Sequence, residues 1–243
     1  MNRIVKIFSD EKELANYTVK ILNEKIKNKK DISKITLALS GGSTPKKIFN
    51  YFANDYKDKI NWNNIKFFFG DERCVPPNNG ESNFKMANDS LFKPLKISAE
   101  NIFRIRGEES PANEIKRYEE VLKKELLKKD NIPQFDIVFL GIGKDGHTAS
   151  IFPNQIELFN SKNLCEIAIH PVSKQKRITI TGRIINNAKL VVFLVLGTDK
   201  SKIISELLNT NYSGNNYPAS LVNPANGKAI WLLDIDAAKY LKK

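Results

Sequence analysis

Short apolar runs alternate along the chain with longer segments in which apolar residues recur every three or four positions. Leu14, Val19 and Leu22 follow this helical spacing, and Ser9 or Asp10 can cap their helix. The run at 189–197 is continuous and apolar, which is typical of a central strand in a parallel sheet. Apolar runs of strand length occupy residues 3–8, 35–40, 65–70, 135–141, 189–197 and 229–234.

Helical segments follow most of these runs. The spacing predicts helices over 81–92 and 113–129, another from Asp199 and a short one after residue 234. A further helix is expected to start in the turn at 41–45, because Pro45 fits the first turn of a helix. Residues 177–181 alternate like a half-buried strand. This alternation predicts an α/β fold, a single domain over 1–243 with a Rossmann-like, mostly parallel sheet and helices on both faces.

Several predicted strands end in polar or glycine-rich loops. These ends lie at Ser40, Asp71, Gly141 and Gly197. In open α/β sheets, ligands bind outside the carboxyl ends of the strands. We therefore expect the motifs that follow these strands to meet at one site.

The loop after the second predicted strand has the composition of a phosphate-binding turn. Gly41 and Gly42 let the backbone approach a ligand closely, and Ser43 and Thr44 add hydroxyl groups at a helix N-terminus. The loop is neither a Walker A sequence nor GxGxxG, so a nucleotide is not implied. An ordinary strand-to-helix turn is the alternative.

Four charged residues near strand boundaries are further candidates for binding. Lys200 can supply a point charge and Arg177 a bidentate fork to a phosphate, although each taken alone also fits a surface cation. Asp71 and Arg73 could bind sugar hydroxyls and a developing oxyanion. For this second pair, a salt-bridged loop is the alternative.

A histidine with an acidic neighbour follows the strand at 135–141. His147 and Asp145 share the glycine-rich loop GIGKDGHTAS. Imidazole exchanges protons near neutral pH, which suits a general base, and Asp145 could orient the ring or bind a hydroxyl. A structural loop with a hydrogen-bonded histidine is the alternative, and His170 has no such company.

Composition changes this picture little. The formal net charge is +12, but only seven of the 39 basic residues are arginine and no block of five like charges occurs. This favours a lysine-rich surface over a nucleic-acid partner. Cys74 and Cys165 form no zinc or disulfide pattern. The first residues lack the apolar core of a signal peptide, and no run could span a bilayer, so we expect a cytoplasmic protein without membrane contact.

Five blocks of the sequence resemble, in order, the signatures of the 6-phosphogluconolactonase family. They cover about residues 35–236. The blocks read LALSGGSTP, FFFGDERCVPP with ESN at 81–83, FDIVFLGIGKDGHTASIFP, RITIT with INNAKLVVFLVLGTDKS, and a closing stretch from PAS at 218–220 to residue 234.

The resemblance implies hydrolysis of 6-phospho-D-glucono-1,5-lactone to 6-phosphogluconate, the second step of the oxidative pentose phosphate pathway. It implies no metal and no organic cofactor. The expected binding partner is a phosphorylated sugar lactone. The expected oligomeric state is a monomer or a weak homo-oligomer. His147 would activate water with Asp145 beside it, and the remaining candidates would bind substrate: Gly41, Gly42, Ser43, Thr44, Asp71, Arg73, Arg177 and Lys200.

Three other functions stay open. The related glucosamine-6-phosphate isomerases/deaminases are expected to continue the Asp-Gly-His motif with an Asn-Glu-Pro-like stretch, whereas this chain has TASIFP at 148–153. A sugar-phosphate sensor would carry a DNA-binding segment, for which the residues before Ile35 leave no room. Nucleic-acid binding would rest on charge alone.

Overall fold

The computed structural model describes residues 3–29, 34–209 and 217–242. Its β-strands are β1 (Arg3–Phe8), β2 (Ile35–Leu39), β3 (Ile65–Phe69), β4 (Asp71–Arg73), β5 (Ile102–Phe103), β6 (Leu127–Lys129), β7 (Ile132–Gln134), β8 (Ile137–Leu140), β9 (Cys165–Ile169), β10 (Lys176–Ile180), β11 (Leu190–Val195) and β12 (Lys228–Asp234). Its α-helices are α1 (Glu11–Lys27), α2 (Ser43–Asp55), α3 (Asn83–Ala87), α4 (Lys93–Leu95), α5 (Pro111–Glu125), α6 (Gly182–Ile185) and α7 (Ser201–Leu208). A π-helix, Asn88–Phe92, joins α3 to α4. The 3₁₀ turns are Lys57–Lys59, Trp62–Asn64, Ala99–Asn101, Pro153–Asn160, Thr198–Lys200 and Pro218–Leu221.

The largest sheet among the described residues is entirely parallel. Its seven strands follow the order β1-β12-β11-β8-β2-β3-β5. Every residue of β2, β8 and β11 is buried, as expected for strands whose two faces are both covered. The predicted Rossmann-like α/β fold is confirmed.

A second, antiparallel sheet with the order β4-β10-β9 stands beside the carboxyl ends of the first. The chain passes from β3 to β4 through Gly70. The Gly70 N–H donates to the carbonyl of Leu39 at 2.8 Å, and the Gly70 carbonyl accepts from the N–H of Ile180 at 2.8 Å. Gly70 is therefore bonded to both sheets. The strand predicted at 177–181 forms β10 of this second sheet, one residue earlier in the chain.

Helix α1 begins where the sequence places its cap, whereas α2 follows Gly42 without a side-chain cap. Asp10 caps α1 by accepting from the N–H of Glu13 at 2.8 Å. Helix α2 follows β2 almost directly, and Ile48, Phe49 and Phe52 bury its apolar face in the core. The burial of this face fixes the N-terminus of α2 at the end of a central strand.

One predicted helix is shorter than expected at its C-terminal end, and another does not form. Helix α5 ends at Glu125, and the last three residues that the prediction for 113–129 assigned to the helix form β6, which pairs with β7 in a hairpin. Leu126 is already extended, with φ −101° and ψ 143°. Residues 235–240 form turns instead of the expected terminal helix. Asp234 accepts from the N–H groups of Gly197 and Ala237, and so short a segment gains too few helical bonds to repay nucleation.

A buried carboxylate ties the amino ends of the central strands together. Asp136 is 7% exposed and accepts from the ammonium groups of Lys29 at 2.6 Å and Lys189 at 2.8 Å, and from the N–H of Thr36 at 2.9 Å. Burial alone would raise its pKa, but these hydrogen bonds outweigh burial and lower the pKa of Asp136 below its ordinary value. Separately, the described residues contain no helix long and apolar enough to cross a membrane.

Candidate active site

A cleft of about 190 Å³ opens at the carboxyl ends of β2, β8 and β11, against the second sheet. It brings together most of the candidates named from the sequence. Asp145 lies beside the cleft, in contact with His147. The candidates that line the cleft are residues 41–44 (the glycine turn), Asp71, Arg73, His147, Arg177 and Lys200.

The glycine turn presents the N-terminus of α2 to the cleft. Gly42 adopts φ 102°, a conformation that side chains rarely tolerate, and Lys46 makes the first helical hydrogen bond, to the Gly42 carbonyl. At Gly41, a Cβ atom would lie only 1.8 Å from the Oδ1 of Asn83. The first N–H groups of a helix have no intrahelical partner, so this turn can bind an anion.

A tight loop holds the imidazole of His147 against Asp145. The N–H of Gly143 donates to the carbonyl of His147 at 2.9 Å, and Gly146 adopts φ 80°. The ring Nδ1 lies 2.6 Å from the Asp145 Oδ1. A Cβ atom at Gly143 would lie 2.1 Å from that Nδ1, so the pair needs glycine there.

This contact decides the tautomer of the imidazole. Burial would raise the pKa of Asp145, but hydrogen bonds and the nearby His147 outweigh it and lower that pKa below its ordinary value. An ionised carboxylate only accepts hydrogen bonds, so Nδ1 carries the proton when the ring is neutral. The lone pair is then on Nε2, for which no hydrogen-bond partner occurs among the described residues. The pair has the arrangement of a general base and its orienting acid.

Asp71 lies at the floor of the cleft and is 5% exposed. Its Oδ2 accepts from the hydroxyl of Ser150 at 2.6 Å, and its backbone carbonyl accepts from the amide of Asn83 at 2.9 Å. The two hydrogen bonds join the second sheet to the histidine loop and to α3.

Two guanidinium groups flank this carboxylate in the cleft. Arg73 donates from Nη1 to the carbonyl of Glu81, and Arg177 approaches the Ser150 hydroxyl at 3.5 Å. The Nε atoms of both arginines are buried without a hydrogen-bond partner in the described chain. Burial lowers the pKa of Arg177, against the attraction of Asp71, yet a guanidinium stays charged at neutral pH. Among the described residues that line the cleft, these two arginines and Lys200 supply three cations against one buried acid.

Lys200 completes the cationic side from the 3₁₀ turn after β11. Its ammonium lies 3.4 Å from the Oδ2 of Asp199, which also lies 3.6 Å from the ammonium of Lys144. Gly197 adopts φ 94° and turns the chain sharply at the end of the strand. The Lys200 side chain is mostly buried and lines the cleft, so its charge can reach a bound anion.

Sequence reasoning missed three residues of this site. Asn83 and Ser150 are polar but almost fully buried, and both bond to Asp71. Phe152 contacts the ring of His147. Asn83 stands in the ESN block and the other two in the DGHTASIFP block. Only the positions of these three residues within the two blocks could have marked them as candidates. The identity of a polar or aromatic residue does not show which residue it contacts in the fold.

Comparisons with known proteins assign the chain to a family. Residues 9–231 match the family described as glucosamine-6-phosphate isomerases/6-phosphogluconolactonase. The 6-phosphogluconolactonase of Haemophilus influenzae is 44% identical over 210 residues, 85% of this chain and 88% of its own length. That of Treponema pallidum is 39% identical over 201 residues, 83% of this chain and 82% of its own length.

A solved structure agrees with the sequence comparison. The crystal structure of the devB protein superposes with a TM-score of 0.92 at 35% identity, covering 99% of this chain and all of the other.

Proposed function

The chain belongs to the family of glucosamine-6-phosphate isomerases and 6-phosphogluconolactonases, and on that premise we propose that it is a 6-phosphogluconolactonase. It would hydrolyse 6-phospho-D-glucono-1,5-lactone to 6-phosphogluconate. The observation that carries the proposal is that His147, whose ring contacts Asp145, lines the same cleft as the glycine turn. A base that activates water and a binding place for phosphate are what this substrate requires.

His147 would act as the general base. Its Nε2 takes a proton from water while Asp145 holds Nδ1–H, and the resulting hydroxide attacks the lactone carbonyl. The ring C–O bond of the tetrahedral intermediate then breaks, and the imidazolium returns its proton to the departing oxygen. General-base assistance of this kind accelerates a reaction by about 10²- to 10⁴-fold.

The glycine turn would hold the substrate phosphate. A phosphate monoester carries a charge of about −1.5 to −2 at pH 7, which the N–H groups of α2, the hydroxyls of Ser43 and Thr44, and the cations of Arg177 and Lys200 would balance.

Arg73 and Asp71 would act on the sugar itself. Arg73 would stabilise the carbonyl oxygen or the product carboxylate, where negative charge develops. Asp71 would accept from a sugar hydroxyl, since a carboxylate has about four acceptor positions and its hydrogen bonds to Ser150 and Asn83 leave some of them for substrate.

Several wider expectations stay predictions. They are a place at the second step of the oxidative pentose phosphate pathway, a cytoplasmic location, a single domain over 1–243, a monomer or weak homo-oligomer, and the lack of a nucleic-acid partner.

The test is an NMR time course of freshly generated 6-phosphogluconolactone with wild-type protein, His147→Ala and Lys144→Ala. Lys144 belongs to the same loop, is 70% exposed and has no assigned role. We expect wild type and Lys144→Ala to accelerate hydrolysis well above the spontaneous rate, and His147→Ala to lose about 10²-fold or more.

The outcomes separate the hypotheses. Wild-type turnover by His147→Ala would contradict the general-base role while leaving the lactonase activity in place. A wild-type protein that leaves the lactone at its spontaneous rate would contradict the activity itself. Ammonia release from glucosamine 6-phosphate would then indicate the isomerase/deaminase branch of the family.

A further inference from the structure

One buried aromatic ring contacts both the base and an anion-binding cation. The ring centroid of Phe152 lies 4.8 Å from that of His147, and the guanidinium carbon of Arg177 lies 5.6 Å from the same centroid. Phe152 is fully buried, and the ring of His170 meets it edge-on at 5.2 Å. No other residue in the described chain is seen in ring contact with His147.

We propose that Phe152 is a positioning residue that fixes His147 and Arg177 relative to each other, and so sets the distance between the attacked carbonyl and the bound anion. The inference rests on the proposed lactonase function. It concerns how His147, at the catalytic end of the cleft, and Arg177, at the anion-binding end, keep a fixed separation. The roles proposed for the two residues separately do not explain this.

His147 needs this second support. Its ring is bound by one side-chain hydrogen bond, from Nδ1 to Asp145. One such contact fixes Nδ1 but leaves the ring able to swing about it, which would move Nε2 away from the attacking water. The tilted contact with Phe152, at 54° between ring planes, restricts that swing.

The guanidinium of Arg177 is held by a longer hydrogen bond than the ring of His147, so its contact with Phe152 matters more. Its only side-chain hydrogen bond in the described structure is the 3.5 Å approach to Ser150, and its Nε has no partner. A guanidinium over an aromatic face is attracted by the negative charge of that face. Phe152 therefore supplies the orientation that hydrogen bonds do not.

His170 supports the ring from behind without adding charge. Its Nδ1 accepts from the backbone N–H groups of Val172 at 3.3 Å and Ser173 at 3.1 Å, which uses the lone pair that a proton would need. Burial lowers the pKa of His170, with the nearby Arg177 acting in the same direction. The ring of His170 thus packs on Phe152, and its lowered pKa favours the uncharged form beside Arg177.

The backbone is shaped to place this ring. Residues 148–151 form a tight turn in which the N–H of Ile151 donates to the carbonyl of Thr148 at 3.0 Å. Ala149 adopts φ 49°, a left-handed conformation that costs an alanine energy. The turn brings Phe152 back against His147, five residues earlier in the chain.

The test replaces the aromatic ring of Phe152 by an apolar side chain that has no ring. Phe152→Leu, with Phe152→Met as a second ring-free variant, is expected to lower kcat and raise KM for the lactone, with kcat/KM falling about 10- to 100-fold. The matched control is Phe135→Leu, because Phe135 is equally buried but precedes β8 at the far end of that strand. It should lower the thermal midpoint while keeping both kinetic parameters.

A double-mutant cycle separates positioning from general damage. In an Arg177→Ala background, Phe152→Leu should still lower kcat through His147 but should no longer raise KM. Additive effects on KM would overturn the inference, as would kinetics of Phe152→Leu that match those of Phe135→Leu. A wild-type protein without lactonase activity would overturn the proposed function and this inference together, whereas an active wild type with an unaffected Phe152→Leu overturns the inference alone.

Discussion

Two adjacent glycines in the cleft are required for different reasons. Gly42 needs its own backbone freedom, since its φ of 102° would strain any side chain. At Gly41 the obstacle is a neighbour, because a Cβ atom would overlap the amide of Asn83. Asn83 is 1% exposed and bonded to Asp71, so it has little room to withdraw.

Gly41→Ala is therefore expected to push Asn83 away from Asp71 and to disturb the floor of the cleft. We expect kcat/KM to fall about 10- to 100-fold, as for small displacements of a positioned group. The control is Gly80→Ala, since a Cβ atom there meets nothing within 4 Å. Steady-state kinetics of both variants test the point, and a wild-type kcat/KM for Gly41→Ala would show that Asn83 yields freely.

At the scale of elements, the short helix α3 is held by a carboxylate from the neighbouring sheet. Glu72 of β4 accepts from the N–H groups of Asn83 and Phe84, each at 2.7 Å, and from the hydroxyl of Ser82 at 3.0 Å. Glu72 is 2% exposed, and burial raises its pKa although these hydrogen bonds act against the rise. A helix of five residues thus takes its N-terminal support from another element.

Glu72→Gln should weaken this attachment, because the amide offers one acceptor oxygen and turns an NH₂ group toward backbone donors. We expect a loss of about 1–3 kcal/mol in the free energy of unfolding and a raised KM through Asn83. Urea unfolding measures the first and lactone kinetics the second. Glu100→Gln, at an exposed site, should stay within about 0.5 kcal/mol of wild type. An equally small effect of Glu72→Gln would contradict the anchoring role.

The elements that could be predicted are those whose apolar pattern is long. Strands β2 and β11 bury both faces and appear in the sequence as continuous apolar runs, whereas helix α1 buries one face and appears as a helical periodicity. Strands β5 and β6 have two and three residues and take their shape from a partner strand, which no local pattern records. The exposed Leu-Lys-Lys of β6 fits a helical continuation equally well, hence the error there.

The same reasoning explains what was foreseen of the site. Parallel strands end at one edge of a sheet, so residues after β2, β8 and β11 could be expected to meet. The roles of His147 and Lys200 remain predictions, but their shared location followed from topology. Ser150 and Phe152 could not be found this way. Ser150 bonds to Asp71, which is distant in the chain, and Phe152 reaches His147 only because of the turn at 148–151.

At the scale of the whole molecule, the two ends of the central sheet differ in chemistry. The carboxyl ends carry the cationic cleft, and the amino ends are joined by Asp136 with Lys29 and Lys189. The pKa of Asp136 is lower in the folded protein than its ordinary value of 3.8. Its carboxylate therefore stabilises the fold at pH values above about 3.8, and this contribution is lost as the pH falls through the folded-state pKa.

Asp136→Asn should consequently destabilise the protein by about 1–3 kcal/mol at pH 7. The difference from wild type should shrink as the pH falls below about 3.8, because the carboxyl group is protonated first in the unfolded chain and then, at lower pH, in the folded protein. Urea unfolding at pH 7, 4 and 3 would measure this, with Asp58→Asn as the control at an exposed aspartate. A difference that stays constant with pH would contradict the assignment.

The double bonding of Gly70 bears on how the protein selects its substrate. Its N–H is bonded to Leu39 of β2 and its carbonyl to Ile180 of β10, in the two sheets that form walls of the cleft. The walls cannot move apart at this point without breaking a backbone hydrogen bond, so the cleft has no hinge here. We therefore expect the two walls to keep their spacing at Gly70 when a ligand binds, so that the size of a ligand limits its entry to the cleft.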